Sequence, residues 1–170
     1  MLKIINDLSL FFGDNYRRIN IREYARIMKT SPPTASKLLE GFNREGILKR
    51  EKDRNYIFYC ANSESGLFVD LSRIYWKLAF ESSGLVKLFE DVFLSPVVIL
   101  FGSLSKAEAK KDSDIDIAVF TKTKKALDLR PFEKKLKRKI QLFVFEEPDM
   151  VKNKELLKNI LGGYKLRGHW

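Results

Sequence analysis

One segment constrains this chain more than any other: an apolar run leading into Gly102-Ser103, followed after ten residues by Asp114 and Asp116. The run 96–101 is wholly apolar, which is typical of a strand buried on both faces. A glycine where a strand enters a helix lets backbone amides approach a phosphate closely, and the Ser103 hydroxyl can bond a phosphate oxygen. This part of the sequence therefore predicts a phosphate-binding turn.

The acidic residues Asp114 and Asp116 alternate with isoleucines, which indicates a strand with one apolar face. Residues two apart in a strand point to the same face, with Cα atoms roughly 6.6 Å apart. Two such carboxylates repel each other unless a cation lies between them, and hard oxygen ligands suit Mg²⁺ or Mn²⁺. Divalent ions held in this way can activate a nucleophile and stabilise leaving oxygens at phosphorus. A lone Asp-x-Asp is usually a solvated turn without a function. Its combination with a buried strand and Gly-Ser is much rarer by chance than either motif alone, which favours a functional site.

Taken together, these residues resemble the signature of the minimal nucleotidyltransferases of the DNA polymerase β superfamily, which is Gly-Ser, a ten-residue spacer and Asp-x-Asp. The resemblance implies that Asp114 and Asp116 are catalytic and hold Mg²⁺ or Mn²⁺. It also implies that Gly102, Ser103 and Ser113 bind a nucleoside triphosphate. The activity that it implies is transfer of a nucleoside monophosphate to an acceptor.

The sequence departs from the family pattern at two positions. Many members have a glycine where this chain has Ala107, and they have a third carboxylate near the start of the next strand, where this chain has Gln141. A neutral amide cannot act as a general base. Glu146 lies at the far end of that strand and on the opposite parity, so it could substitute only if a bulge shifted the register. Three readings stay open: a base from elsewhere, a slow reaction, or nucleotide binding without chemistry.

Alternating elements predict the architecture around this segment. Apolar periodicity and breakers predict a small α/β domain with a mixed sheet, in the order strand 97–101, helix 103–110, strand 114–120, helix 131–139, strand 140–145 and helix 150–161. The resemblance covers roughly residues 90–167. We predict an N-terminal domain over 1–62, a helical connection over 63–92 that is broken near 82–84, and a nucleotidyltransferase-like domain over 93–170. The fold class of the whole chain is α+β.

The N-terminal part carries a different pattern. Helical spacing predicts helices over 1–12 and 21–28, and Ser31 with the following prolines predicts the start of a third helix, which ends near Gly46. Two β-rich runs, 47–50 and 55–59, flank a polar loop and indicate a hairpin. Residues 16–60 thus resemble a winged helix-turn-helix domain of prokaryotic transcription regulators.

This resemblance implies contacts with duplex DNA. The recognition helix would offer polar side chains, and the hairpin would form a basic wing that touches phosphates. The candidate DNA-binding residues are Thr34, Ser36, Lys37, Arg44, Lys49, Arg50, Lys52 and Arg54. The alternative is that this module serves protein interaction or dimerisation.

The charge of the chain limits the kinds of partner that it can bind. The net charge is +10, distributed as +5 over 1–62, −2 over 63–92 and +7 over 93–170, so two basic parts could attract polyanions. No apolar run is long enough for a membrane span. The N-terminus lacks the features of a signal peptide, and the single Cys60 allows no internal disulfide, so we expect a cytoplasmic protein without a membrane partner.

Two functions follow as hypotheses. The first is a Mg²⁺-dependent nucleotidyltransferase that modifies a protein or nucleic-acid acceptor and carries a DNA-binding-like module. The second is a DNA-binding regulator whose weakened nucleotidyltransferase domain only binds nucleotide. The resemblance to the minimal family, which includes antitoxin-like members, implies that such a regulator could be an antitoxin with a toxin partner. Gln141 favours the second hypothesis, and the intact acidic pair favours the first. A homodimer is compatible with both.

Overall fold

The computed structural model describes residues 2–123 and 125–169, which form two compact units. The first unit is Met1–Ser72 together with Ala107–Lys111, and the second is Arg73–Lys106 together with Asp112–Trp170. The predicted connection 63–92 is thus shared between the two units, and the domain boundaries at 62 and 92 stay a prediction. Across the described residues, no helix combines the length and the apolar character that a membrane span requires.

The first unit begins with four helices: α1 Lys3–Asp7, α2 Ser9–Gly13, α3 Ile21–Ile27 and α4 Pro32–Arg44. The single helix predicted over 1–12 is therefore wrong, because Leu8 separates two short helices. Of the apolar residues whose helical spacing predicted that helix, Ile5, Leu8 and Phe12 are fully buried, whereas Leu2 is exposed.

The predicted helices α3 and α4 are confirmed, with boundaries that differ by one or two residues. Asn20 caps α3 by accepting a hydrogen bond from the Glu23 amide. Ser31 caps α4 by accepting from the Thr34 amide, and prolines occupy its first turn. Gly46, just beyond α4, has a φ of +70°, a conformation that glycine adopts without strain. Helix α3 packs against α4.

The hairpin that follows is longer than predicted. Strands β1 Leu48–Asp53 and β2 Tyr56–Ala61 pair in antiparallel register up to Asp53 and Tyr56. The loop predicted over residues 51–54 is wrong, because Glu51 and Asp53 belong to β1. Arg18 bridges both carboxylates, at 2.8 and 3.6 Å, and therefore neutralises acidic residues that disfavour a strand.

Residues 107–111, from the spacer between Ser103 and Asp114, belong to the first unit. The buried side chain of Asn15 accepts a hydrogen bond from the Ala109 amide at 2.6 Å and donates one to the Phe11 carbonyl at 2.8 Å. The Asn15 amide in turn donates to the Ala109 carbonyl at 2.8 Å. The spacer therefore has a fixed backbone path at this point.

The second unit is an α/β domain with a mixed sheet, as predicted. Helix α5 Gly66–Ser83 enters it from the first unit, and the elements that follow are α6 Leu85–Val92, β3 Val97–Phe101, α7 Gly102–Lys106, β4 Ile115–Phe120, α8 Arg130–Leu136, β5 Ile140–Phe145, a 3₁₀ turn Pro148–Met150, α9 Lys154–Leu161 and β6 Tyr164–Arg167. The strand order is β5-β4-β3-β6. Strand β4 runs parallel to β5 and antiparallel to β3, while β6 is a strand that the sequence did not predict.

Three predicted helices are shorter than expected. Helix α7 ends at Lys106 because Ala107 adopts a left-handed φ of +55°, and α8 ends at Leu136 because Lys137 does the same. The helix predicted over 150–161 begins only at Lys154, where Asn153 caps it. Side chains of α9 pack against the sheet in a core built on Val97, Ile99, Phe101, Ala118, Phe120, Val151 and Ile160.

Candidate active site

Three adjacent strands meet at the predicted acidic pair. Phe101, the last residue of β3, lies opposite Asp116 of β4, and Asp116 lies beside Gln141 of β5. Asp114 stands one residue before β4 begins. Strand register alone therefore brings three features into one row: the end of β3, the acidic pair, and Gln141 at the predicted position of the third carboxylate.

Gly102 is in direct contact with this row. Its φ is +70°, and a Cβ atom added there would lie 2.1 Å from Asp116 Oδ2. Any side chain at this position would displace the carboxylate, so glycine is required sterically as well as conformationally. The Ser105 hydroxyl donates to the Gly102 carbonyl at 2.9 Å and fixes the turn, while Ser103 is half-buried next to it.

Gln141 contacts the acidic pair directly. Its Nε2 donates to Asp114 Oδ2 at 2.7 Å. The register between β4 and β5 runs without interruption from Ile115–Ile140 to Phe120–Phe145. No bulge therefore shifts Glu146 toward the site, and Glu146 lies beyond the end of β5. An amide occupies the position that the resemblance assigns to a third carboxylate.

The electrostatics of the pair favour a bound cation. Asp116 is half-buried, and burial raises the pKa of its carboxyl group above the ordinary value, with the charge of Asp114 adding to the rise. A divalent ion would relieve both effects. Within residues 2–123 and 125–169, no three acidic, histidine or cysteine side chains cluster in a way that could hold a metal. Asp114 and Asp116 fit a divalent ion that takes its other ligands from phosphate oxygens and water.

Arg138 lies next to the site, which the sequence did not indicate. Its Nη1 donates to the Ser113 carbonyl, and its guanidinium lies 5.2 Å from the centre of the Trp76 ring. In the sequence, Arg138 lies within a lysine-rich run, 134–139, which is typical of a solvated helix face. The one available signal was that it is the only arginine among five basic residues between 134 and 139. Arginine suits a half-buried position that combines a hydrogen bond with stacking on an aromatic ring.

The predicted DNA-binding residues of α4 divide into two groups. Thr34, Lys37 and Arg44 line a surface groove of about 550 Å³, and Lys3 from α1 joins them there. Ser36 does not line this groove, and its hydroxyl donates to Glu40 at 2.9 Å. Lys3 was not among the predicted residues, since it lies 31 positions before Thr34 and nothing in the sequence connects the two.

The basic residues of the hairpin do not form one surface. Arg50 and Lys52 share one face of β1, whereas Lys49 lies on the opposite face. Lys49 also forms an ion pair with Glu64 at 2.8 Å. Arg54 occupies the turn with a φ of +53°. The structure thus keeps Arg50 and Lys52 together and separates Lys49 from them.

Comparison with known proteins bears on the second unit. A family model described as "Polymerase beta, Nucleotidyltransferase" matches residues 86–162, which include every residue of the site around the acidic pair. The match covers less than half of the chain. It supports a nucleotidyltransferase domain of the polymerase β superfamily in this part of the protein. No curated protein and no solved structure matches the chain.

Proposed function

We propose that the protein is a metal-dependent nucleotidyltransferase that transfers a nucleoside monophosphate from a nucleoside triphosphate to a hydroxyl group of a protein or nucleic-acid acceptor. The observation that carries this proposal is the contact of Gly102 with Asp116 at the end of β3. It joins the phosphate-binding turn to the acidic pair. The family match over residues 86–162 supports the same reaction class.

The chain's own residues have distinct tasks in this proposal. Gly102 leaves room for a phosphate beside the backbone, and Ser103 donates its hydroxyl to a phosphate oxygen. Asp114 and Asp116 would hold Mg²⁺ or Mn²⁺, and Ser113 immediately precedes Asp114 in the chain. Such an ion, when bound, polarises phosphoryl oxygens and neutralises the charge that develops on pyrophosphate.

The bonds that form and break in this transfer show that the site lacks a general base. The acceptor oxygen forms a bond to the α-phosphorus, the bond from that phosphorus to the pyrophosphate oxygen breaks, and the hydroxyl proton must leave. A positioned carboxylate would take that proton, but Gln141 cannot. Because a positioned base is typically worth about 10²–10⁴-fold in rate, we expect transfer to be slow and the proton to pass to water.

Labelled substrate tests this function. The protein is incubated with Mg²⁺, a cell extract and a triphosphate that is labelled either at the α-phosphorus or at the γ-phosphorus. The proposal predicts slow transfer of the α-label to a macromolecule and no transfer of the γ-label. The pair of substitutions Asp114→Asn and Asp116→Asn abolishes the transfer, and Asp112→Asn, an exposed acid in the spacer, serves as the matched control. The extract alone gives the background for both labels, and γ-label transfer above that background would contradict the proposal.

A second candidate function is that of a DNA-binding regulator, such as an antitoxin, whose nucleotidyltransferase domain senses nucleotide without turnover. The hydrogen bond from Gln141 to Asp114 favours it, because the amide occupies an oxygen that a metal would otherwise use. The basic groove along α4 offers a surface for duplex DNA. Nucleotide binding that changes affinity for DNA or for a toxin partner, with no α-label transferred, would select this function. Both candidates assume a cytoplasmic protein.

A further inference from the structure

Strand β5 forms one edge of the four-stranded sheet, and among the described residues, 2–123 and 125–169, it pairs only with β4. Its six residues, Ile140–Phe145, include five apolar side chains and contain neither proline nor a charge. Natural edge strands are usually shortened, bulged or charged, because an unprotected edge pairs with other strands. Strand β5 is neither shortened nor bulged, and it carries no charge.

The opposite edge provides the contrast. Strand β6 has four residues, two of which are Lys165 and Arg167, and its pairing with β3 shifts register between Val98 and Ile99. Short length, positive charge and an irregular register all discourage further pairing. One edge of the same sheet is therefore protected, and the other is open to a partner strand.

Hydrogen bonds show which backbone groups of β5 point outward. The Ile115 amide donates to the Lys139 carbonyl, and the Thr121 amide donates to the Phe145 carbonyl, so odd-numbered residues direct their backbone groups toward β4. Even-numbered residues direct theirs away from β4. The Ile140 amide already donates to Glu133 Oε1 at 3.0 Å. The N–H and C=O groups of Leu142 and Val144 therefore lie along the outer edge.

Charge identifies the strand that fits this edge. Three basic residues, at positions 137–139, precede β5, and two acidic residues, Glu146 and Glu147, follow it. An identical strand in parallel orientation would place like charges side by side. In antiparallel orientation, the basic end of each strand faces the acidic end of the other. A second copy of this chain is therefore electrostatically self-complementary at this edge.

Register restricts the arrangement further. The outward backbone groups belong to even-numbered residues, and those of the two copies must face each other across the new pairing. An even-numbered residue of one copy must therefore lie opposite an even-numbered residue of the other, so the two residue numbers sum to an even value. A pairing centred on Leu142 places Arg138 opposite Glu146. A pairing centred one residue later places Lys139 opposite Glu147. Both registers keep opposite charges together, and both use the Val144 amide as a donor.

From these observations we propose that two copies of the chain associate through antiparallel pairing of their β5 strands. The two four-stranded sheets then form one continuous eight-stranded sheet. The two-fold axis is perpendicular to the sheet, so both acidic pairs open on the same face. Because Gln141 lies on β5, the association also holds in place the strand whose Gln141 side chain donates a hydrogen bond to Asp114. The proposal does not depend on the catalytic function.

Charge exchange between two variants tests the proposal. Variant A carries Lys137→Glu and Lys139→Glu, so both ends of β5 are acidic, and variant B carries Glu146→Lys and Glu147→Lys, so both ends are basic. Sedimentation equilibrium should show a dimer for the wild type and a dissociation constant raised about tenfold or more for each variant alone. An equimolar mixture of A and B should dimerise again, because each basic end then meets an acidic end. Lys134→Glu with Glu155→Lys, exposed exchanges away from β5, provides the matched control.

A backbone substitution provides an independent test. Val144→Pro removes an outward amide, which an edge strand tolerates but strand pairing between copies does not. It should yield a folded monomer, as checked by circular dichroism. A monomeric wild type at micromolar concentration, or variants A and B that fail to associate when mixed although both are folded, would overturn the proposal.

Discussion

The acidic site on the sheet and the basic residues of the N-terminal unit contrast in how their geometry is determined. In the sheet, β-strand register positions Asp116 beside Gln141 and against Gly102, and hydrogen bonds and close contacts link these residues. In the N-terminal unit, the basic residues extend from exposed positions on a helix and a hairpin. Lys49 and Ser36 are already engaged by acidic neighbours.

The contrast shows which functional predictions a sequence can support. Where strand register connects the residues, their spacing also determines their proximity, so a motif predicts a site. Where residues contribute only charge, their spacing in the sequence does not determine which of them lie on the same surface. Substitutions in the two regions test this difference.

Glycine substitutions in the two regions should have opposite effects. Gly102→Ala imposes a left-handed conformation on a residue with a side chain and drives a Cβ atom into Asp116, so we expect the free energy of unfolding to fall by about 2 kcal/mol or more. Gly41→Ala, inside α4 with nothing within 4 Å of the added atom, should raise it by up to about 1 kcal/mol. Urea denaturation measures both. Equal effects would mean that the turn at Gly102 can relax freely.

Replacing Gln141 by Glu should make the stability of the sheet depend on metal. The change converts a hydrogen-bond donor at 2.7 Å from Asp114 into a third negative charge, so in chelator the free energy of unfolding should fall by about 1–2 kcal/mol. Mn²⁺ should restore the loss and should stabilise this variant more than the wild type. Gln141→Met, which loses the hydrogen bond without adding charge, separates the two causes. A Gln141→Glu variant that does not respond to Mn²⁺ would argue against a metal site.

The groove along α4 should contribute to the salt dependence of DNA binding. Lys37→Ala combined with Arg44→Ala removes two charges from one surface. Each lost phosphate contact lowers the slope of log affinity against log salt by about 0.9, so the slope should fall by about 2. Ser36→Ala is the control and should leave the slope unchanged. An unchanged slope in the double variant would favour a protein-interaction module.

The smallest effect is expected in the hairpin. Arg50→Ala with Lys52→Ala should lower the affinity for duplex DNA modestly, because these two side chains share one face of β1. Lys49→Ala should have almost no effect, since Lys49 is paired with Glu64 on the other face. Fluorescence anisotropy with the same duplex compares the three. If Lys49→Ala weakened binding as much as the double substitution, the hairpin would present a different surface to DNA.

The elements that the sequence predicted correctly are those fixed by local rules. The strand periodicity of β3 to β5 and the Ser31 cap required no knowledge of distant contacts. The errors lie where tertiary contacts decide. Glu51 and Asp53 remain in a strand because Arg18 pairs with them, and β6 exists because β3 offers it an edge.

Ala107 shows both the strength and the limit of the family resemblance. It stands where many members of that family have glycine, and its φ of +55° gives the physical reason for that preference. The resemblance marked the position, but the left-handed conformation that shortens α7 could not be read from an alanine. Likewise, the sequence placed Gln141 near the acidic pair, whereas its donation to Asp114 depends on the parallel register of β5.

Calorimetric titration with Mn²⁺ and a non-hydrolysable nucleoside triphosphate tests the central claim most directly, since it requires no acceptor and no turnover. We predict saturable binding of the triphosphate by the wild type only when Mn²⁺ is present. That binding should be lost in the chain carrying Asp114→Asn and Asp116→Asn and retained in Asp112→Asn. Equal triphosphate binding by the wild type and the doubly substituted chain would contradict the claim that these two carboxylates form a metal-dependent nucleotide site.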